Sequence, residues 1–183
     1  ISRGLRYQIV GGTRFYERRE IRDLVAYLRI MDNPDDTVSL RRIINVPKRA
    51  IGDKAQAQIA LHAENLGVSF GAALRDAAAG NVAGLGTRAV NAVSKFNEMM
   101  EGVRAQVPGM INEVTGQPDL GELLNAVLDA TGYRAELEKS NDPQDGSRLD
   151  NLNELVSVAR EFSSDAANPV SYTHLTLPTI CSV

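Results

Sequence analysis

Apolar positions recur at three- and four-residue steps through most of the chain, so the predicted structure is almost wholly helical. Ile21, Leu24, Val25, Leu28 and Met31 form one stripe, interrupted by Asn33-Pro34-Asp35-Asp36. Asp36 or Thr37 can cap a second helix carrying Leu40, Ile43 and Ile44. Past a basic turn, Ile59, Ala60 and Ala63 lie on a helix predicted to end near Gly67. Ser69 caps an alanine-rich helix ending at Gly80, and Ala89, Val90, Val93, Phe96, Met100 and Val103 line one side of a longer one. Pro108 to Pro118 reads as a loop. Leu120, Leu123, Leu124, Val127 and Leu128 make a helix stopped at Thr131-Gly132, followed by a short helix from Tyr133 to Lys139. Asn141 to Gly146 reads as a polar loop, and Leu149, Leu152, Leu155, Val156 and Phe162 mark the last helix.

The exception comes first in the chain. Leu5 to Val10 has the composition of a short strand and ends at Gly11-Gly12. Two adjacent glycines reach backbone angles closed to other residues, which suits either a hinge or an ordinary strand-to-helix turn. The expected fold class is therefore mainly α: a compact bundle of about seven helices with a short N-terminal strand. The Met and Phe positions read as core, because a helical stripe ordinarily faces one.

Charge divides the chain. Residues 1–54 hold 12 Lys/Arg against 7 Asp/Glu, a net of +5, while residues 55–183 hold 8 against 16, a net of −8. A basic first third on an acidic remainder suits one anion-facing surface, or else two charged helix faces with no partner. No apolar run is long enough to span a bilayer, so no membrane association is expected. The one cysteine, Cys181, excludes an internal disulfide framework. With a first residue of Ile1 and no signal peptide, the expectation is a fragment of a soluble cytoplasmic protein.

Two blocks carry candidate chemistry. The first, Gly11-Gly12-Thr13-Arg14-Phe15-Tyr16-Glu17-Arg18-Arg19-Glu20-Ile21-Arg22-Asp23, closed by Tyr27-Leu28-Arg29, opens a strongly charged amphipathic helix. Its Arg14, Arg18, Arg19 and Arg22 alternate with Glu17, Glu20 and Asp23, so many of these charges can pair within the helix. The second, Asn45-Val46-Pro47-Lys48-Arg49-Ala50-Ile51-Gly52-Asp53-Lys54, is a basic turn between two helices. A tight turn at a helix N-terminus exposes consecutive N–H groups where partial positive charge attracts phosphate. Lys48, Arg49 and Lys54 add long-range attraction, and such contacts place a protein on a duplex without reading its sequence. Without a partner, the same turn is a helix–helix corner with solvated basic residues.

The second block resembles a helix-hairpin-helix DNA-binding element, whose usual turn is Gly-Ile-Gly; here Ala50 stands at the first glycine and Ala55 at a threonine of some relatives. The two blocks together, in this order, resemble the UvrD/PcrA family of superfamily-one DNA helicases, actinobacterial members above all, from about Arg3 to Asp165. The resemblance implies a parent that is an ATP-dependent 3′-to-5′ DNA helicase of repair and recombination, using ATP and magnesium. It implies that residues 1–12 end the motor domain 2A and form the hinge, and that 13–165 are an incomplete helical 2B subdomain. Residues 166–183 then read as a non-native tail, because Pro169 to Val183 lacks any Lys, Arg, Asp or Glu where relatives continue acidic.

By that resemblance Lys48, Arg49, Ala50, Ile51, Gly52 and Lys54 bind double-stranded or forked DNA, while Gly11, Gly12, Arg14, Arg18 and Glu20 form the hinge and set the orientation of 2B. Repair proteins, or self-association through 2B, are the further partners implied. A helical protein-interaction module or a stand-alone DNA-binding module is the alternative. No Gly-x-x-x-x-Gly-Lys-Ser/Thr phosphate loop occurs, and His62 sits alone in its helix. The expectation is no catalytic residue, no metal site and no bound cofactor in this piece.

Overall fold

The structure, a computed structural model, describes residues 13–164. The expected strand from Leu5 to Val10, the Gly11-Gly12 hinge and the tail from 166 lie outside those residues. Among the described residues there are nine α-helices: α1 (Thr13–Glu17), α2 (Arg19–Asp32), α3 (Thr37–Ile43), α4 (Asp53–Leu66), α5 (Phe70–Ala78), α6 (Thr87–Gln106), α7 (Leu120–Ala130), α8 (Tyr133–Lys139) and α9 (Pro143–Ser164). Their only β pairing is an isolated antiparallel bridge between Ile111 and Pro118. The mainly α class stands. The helices fall into two compact units, however, one holding residues 26–105 and the other the remainder, with a boundary inside α2.

In the 26–105 unit, α3 and α4 both pack on α5. Asp36 caps α3, its carboxylate accepting from Ser39 N at 3.1 Å and Ser39 Oγ at 3.0 Å. Ser69 caps α5 through Ala72 N at 3.0 Å, and α4 ends at Gly67 in the left-handed region, φ +64°. These are the stop and start signals that the sequence carries. The core is built from Tyr27, Ile30, Leu40, Ile43, Ile44, Ile51, Ile59, Leu74, Val93, Phe96 and Met100, all at most 4% exposed. Each fully buried large side chain contributes about 1.5–3 kcal/mol. Gly71 lies where α5 crosses Pro34; a Cβ there would stand 2.5 Å from the Pro34 carbonyl oxygen.

In the other unit, α9 packs along α7 and α8. Gly121 of α7 faces Arg160 of α9, and buried Leu124, Val127 and Leu128 oppose Leu152, Leu155 and Val156. The loop read over Asn141 to Gly146 is corrected here, because α9 begins at Pro143. Proline fits the first helical turn, where its missing N–H would have no partner, and Asp142 Oδ1 accepts from Gln144 N at 2.9 Å. Asp145, in that first turn, is held below the usual carboxylate range by hydrogen bonds from Ser140 and Arg148.

The charged block also differs from the expected continuous helix. The chain bends at Arg18, between α1 and α2. Glu20 and Asp23, each 3% exposed, turn inward: Asn151 Nδ2 donates to Glu20 Oε1 at 3.1 Å and Tyr133 Oη to Asp23 Oδ2 at 2.7 Å. The alternation of charge concealed this, since a residue's sign does not say which side of the helix is covered.

Candidate functional site

Residues 44–52 join α3 to α4, and their shape follows from two anchored side chains. Ile44 and Ile51 are fully buried at either end of the segment. Asn45 Oδ1 accepts from Arg49 N at 2.8 Å and Ile51 N at 3.3 Å, holding the two limbs together. Gln56 Nε2, reaching back from the first turn of α4, donates to Ile51 O at 2.9 Å. The Val46–Pro47 peptide bond is cis.

Ala50 takes φ +66°, the left-handed region that favours glycine. An L-residue there costs about 1–2 kcal/mol. Ala50 is exposed, so no packing of its own methyl group offsets this cost. Burial of the neighbouring Ile51, about 1.5–3 kcal/mol, outweighs it and keeps the turn in place. The expected departure from Gly-Ile-Gly is thus a substitution of side chain with the glycine-like backbone kept.

Gly52 is the N-cap of α4 and brings no side chain to its first N–H groups. A Cβ built on Gly52 would meet nothing within 4 Å, so the space before the helix end is open. Lys48, Gly52 and Lys54 are exposed around it. The open helix end, with two exposed ammonium groups beside it and the Asp53 carboxylate in its first turn, can attract an anion to the N-terminal partial charge of α4 where the two lysines outweigh that carboxylate.

Two of the expected contact residues sit differently. The Ile51 side chain belongs to the core. Arg49 is turned beneath the turn: its Nη1 donates to Ile43 O at 2.9 Å and Ile44 O at 3.1 Å, and its Nη2 bonds to Tyr27 Oη. Its guanidinium also lies 5.8 Å from the Tyr27 ring centre and 5.2 Å from that of Phe96. Tyr27 Oη donates in turn to Val46 O. A guanidinium so engaged satisfies the last carbonyls of α3, a role favoured at a helix C-terminus. Tyr27, Asn45, Gln56 and Phe96 shape the turn without having been singled out for it. Asn45 and Gln56 carried a readable signal as polar side chains close to a tight turn; Tyr27 and Phe96 lie too far along the chain to carry one.

Of the expected orientation residues, Arg14 and Arg18 are exposed and Glu20 is buried against Asn151, while Gly11 and Gly12 lie outside the described residues. Asp23 and burial act together on Tyr133, whose phenol is pushed well above its ordinary range, first by desolvation and then by the neighbouring carboxylate. His62, alone in its helix by sequence, is partly covered and lies with Nε2 2.9 Å from Asp76 Oδ2, linking α4 to α5. Among the described residues no group of three or more His, Cys, Asp or Glu is placed to hold a metal ion. No described helix is long and apolar enough to cross a membrane.

The turn is therefore anchored in the core and leaves the start of α4 open between two exposed lysines. Comparison with known proteins shows the family of the chain as a whole. The profile of the UvrD-like helicase C-terminal domain matches residues 1–177, and the chain belongs to that family. It is 58% identical over 168 residues to the ATP-dependent DNA helicase UvrD1 of Mycobacterium tuberculosis, covering 92% of this chain and 21% of that protein. To the ATP-dependent DNA helicase PcrA of Bacillus subtilis it is 36% identical over 176 residues, covering 96% of this chain and 22% of that one. The Mycobacterium leprae UvrD1 is 51% identical over 168 residues. The chain therefore spans about one fifth of the length of these relatives.

Proposed function

We propose that this chain is part of an ATP-dependent DNA helicase and contributes to it a grip on duplex DNA, in the manner of a 2B subdomain. The relatives' names carry the helicase reading, and family membership supports it. The observation that carries the DNA contact is the turn itself: left-handed Ala50, open Gly52 and exposed Lys48 and Lys54 at the start of α4. Its backbone N–H groups and two ammonium groups take phosphates of either strand, holding the duplex by charge and shape and not by base sequence. The whole protein binds and hydrolyses ATP with magnesium. That chemistry needs a phosphate loop of a kind this sequence does not contain, so no step of it is assigned to these residues. Residues 1–12 join the piece to the motor and 13–165 form the gripping subdomain.

Titration of a labelled DNA duplex over a range of salt concentrations tests the grip. Lys48→Ala combined with Lys54→Ala should reduce the slope of log K against log salt by about two, since each phosphate contact contributes about 0.9. An unchanged slope would move the surface elsewhere, with the exposed Arg14 and Arg18 face the next candidate.

A further inference from the structure

We infer that Arg49 is a positioning residue for the duplex grip and not one of its phosphate ligands; this rests on the proposed DNA contact. The basic triplet Lys48, Arg49 and Lys54 looks uniform in sequence, yet the structure divides it. Lys48 and Lys54 are exposed, whereas the Arg49 guanidinium donates to Ile43 O, Ile44 O and Tyr27 Oη and lies within 6 Å of two aromatic ring centres. Each bond has a consequence for the turn. The two carbonyl bonds close the C-terminal end of α3, where the chain leaves for the turn. Tyr27, itself fully buried, receives Arg49 and donates to Val46 O, so the entering limb is tied to α2 through one hydroxyl. The backbone of Arg49 meanwhile donates to Asn45 Oδ1, which also accepts from Ile51 N. Arg49 thus fixes the entering limb, and Asn45 ties the leaving limb to it across Ala50, the residue of the turn held in the left-handed region. Swinging the guanidinium out to a phosphate would break its bonds to Ile43 O, Ile44 O and Tyr27 Oη and loosen the entering limb, on which Asn45 and through it Ile51 N depend.

A lysine cannot replace it. An ammonium lacks the planar fork that reaches two carbonyls and a hydroxyl at once and stacks poorly on rings. A phosphate ligand and a positioning residue therefore respond oppositely to Arg49→Lys. The full chain is titrated with a labelled blunt duplex across salt, with far-UV circular dichroism as a check on folding. We expect Arg49→Lys and Tyr27→Phe each to weaken binding by about five-fold, the effect of one good hydrogen bond, with the salt slope unchanged. Lys48→Ala, by contrast, should lower the slope by about one. Normal affinity for Arg49→Lys, together with a slope about one lower for Arg49→Gln, would overturn the inference and make Arg49 a ligand. Amide exchange of residues 49–52 in the free chain gives a second readout. It should accelerate in Arg49→Lys and Tyr27→Phe, and unchanged exchange would equally overturn the positioning role. Failure of the unsubstituted chain to bind duplex would remove the functional reading, while the exchange rates would still decide what Arg49 does to the turn.

Discussion

Ala50→Gly probes the turn at its most constrained residue. Ala50 sits at φ +66°, where an L-side chain costs about 1–2 kcal/mol relative to a right-handed conformation. Glycine removes that cost but loosens the unfolded chain, a loss of about 0.4–1 kcal/mol. The methyl group is exposed, so its deletion forfeits little burial and leaves no cavity. The difference runs from about zero to 1.6 kcal/mol in favour of glycine. Urea unfolding of both chains, compared at equal m, measures it. Duplex affinity should rise by up to about three-fold, because a bare backbone lets phosphate approach the N–H groups of α4 more closely. Ala50→Val provides the opposite arm and should lose about 1 kcal/mol or more, since a β-branched side chain tolerates this region poorly. A glycine variant less stable by 1 kcal/mol, or a valine variant as stable as the parent, would refute a left-handed residue at position 50.

Tyr133→Phe deprives buried Asp23 of a 2.7 Å donor and should cost about 1–3 kcal/mol in thermal or urea unfolding. The Tyr133 phenol ionises later in the folded chain than in the unfolded one, so its contribution is complete below about pH 10 and is lost as pH climbs towards the raised folded value. The gap between parent and Tyr133→Phe should therefore narrow in alkali, and a gap that widens would contradict the burial of the hydroxyl. Gly71→Ala should destabilise by about 1–3 kcal/mol despite the better helix propensity of alanine, because its Cβ would meet the Pro34 carbonyl at 2.5 Å; a neutral effect would mean that α5 shifts freely. The pure chain should not turn over ATP, and a phosphate-release rate that co-purifies with it through successive columns would put a nucleotide site within these residues.

Local signals were the legible part of the fold. Asp36, Ser69 and Gly67 mark helix ends through side-chain oxygens or freedom at positive φ, properties that act over three or four residues and are written in sequence. The helix start at Pro143 was equally local; the polar run around it disguised a first turn that needs no apolar residue. The inward turn of Glu20 and Asp23 was not legible, because their partners Asn151 and Tyr133 lie more than a hundred residues away and neither partner is charged. The candidate site divides in the same way. Its basic character, its glycine and the tightness of its turn could be read from residues 45–54. The orientation of Arg49 could not, because it depends on Tyr27 and Phe96, brought there only by packing.

Ser163 fixes where the chain can be cut. Its hydroxyl, 1% exposed, donates to Ala159 O at 3.0 Å within α9 and accepts from Leu120 N at 3.0 Å. One of the leading amides of α7 is therefore served by a residue at the far end of α9, while the α7 cap Asp119 serves Glu122 N at 3.1 Å. A shortened version ending before Ser163 would leave that amide without its buried acceptor and expose the last turn of α9. Boundaries for expression, domain fusion or limited proteolysis in this region should thus be set beyond residue 164, whatever the hydropathy of the helix suggests about trimming it.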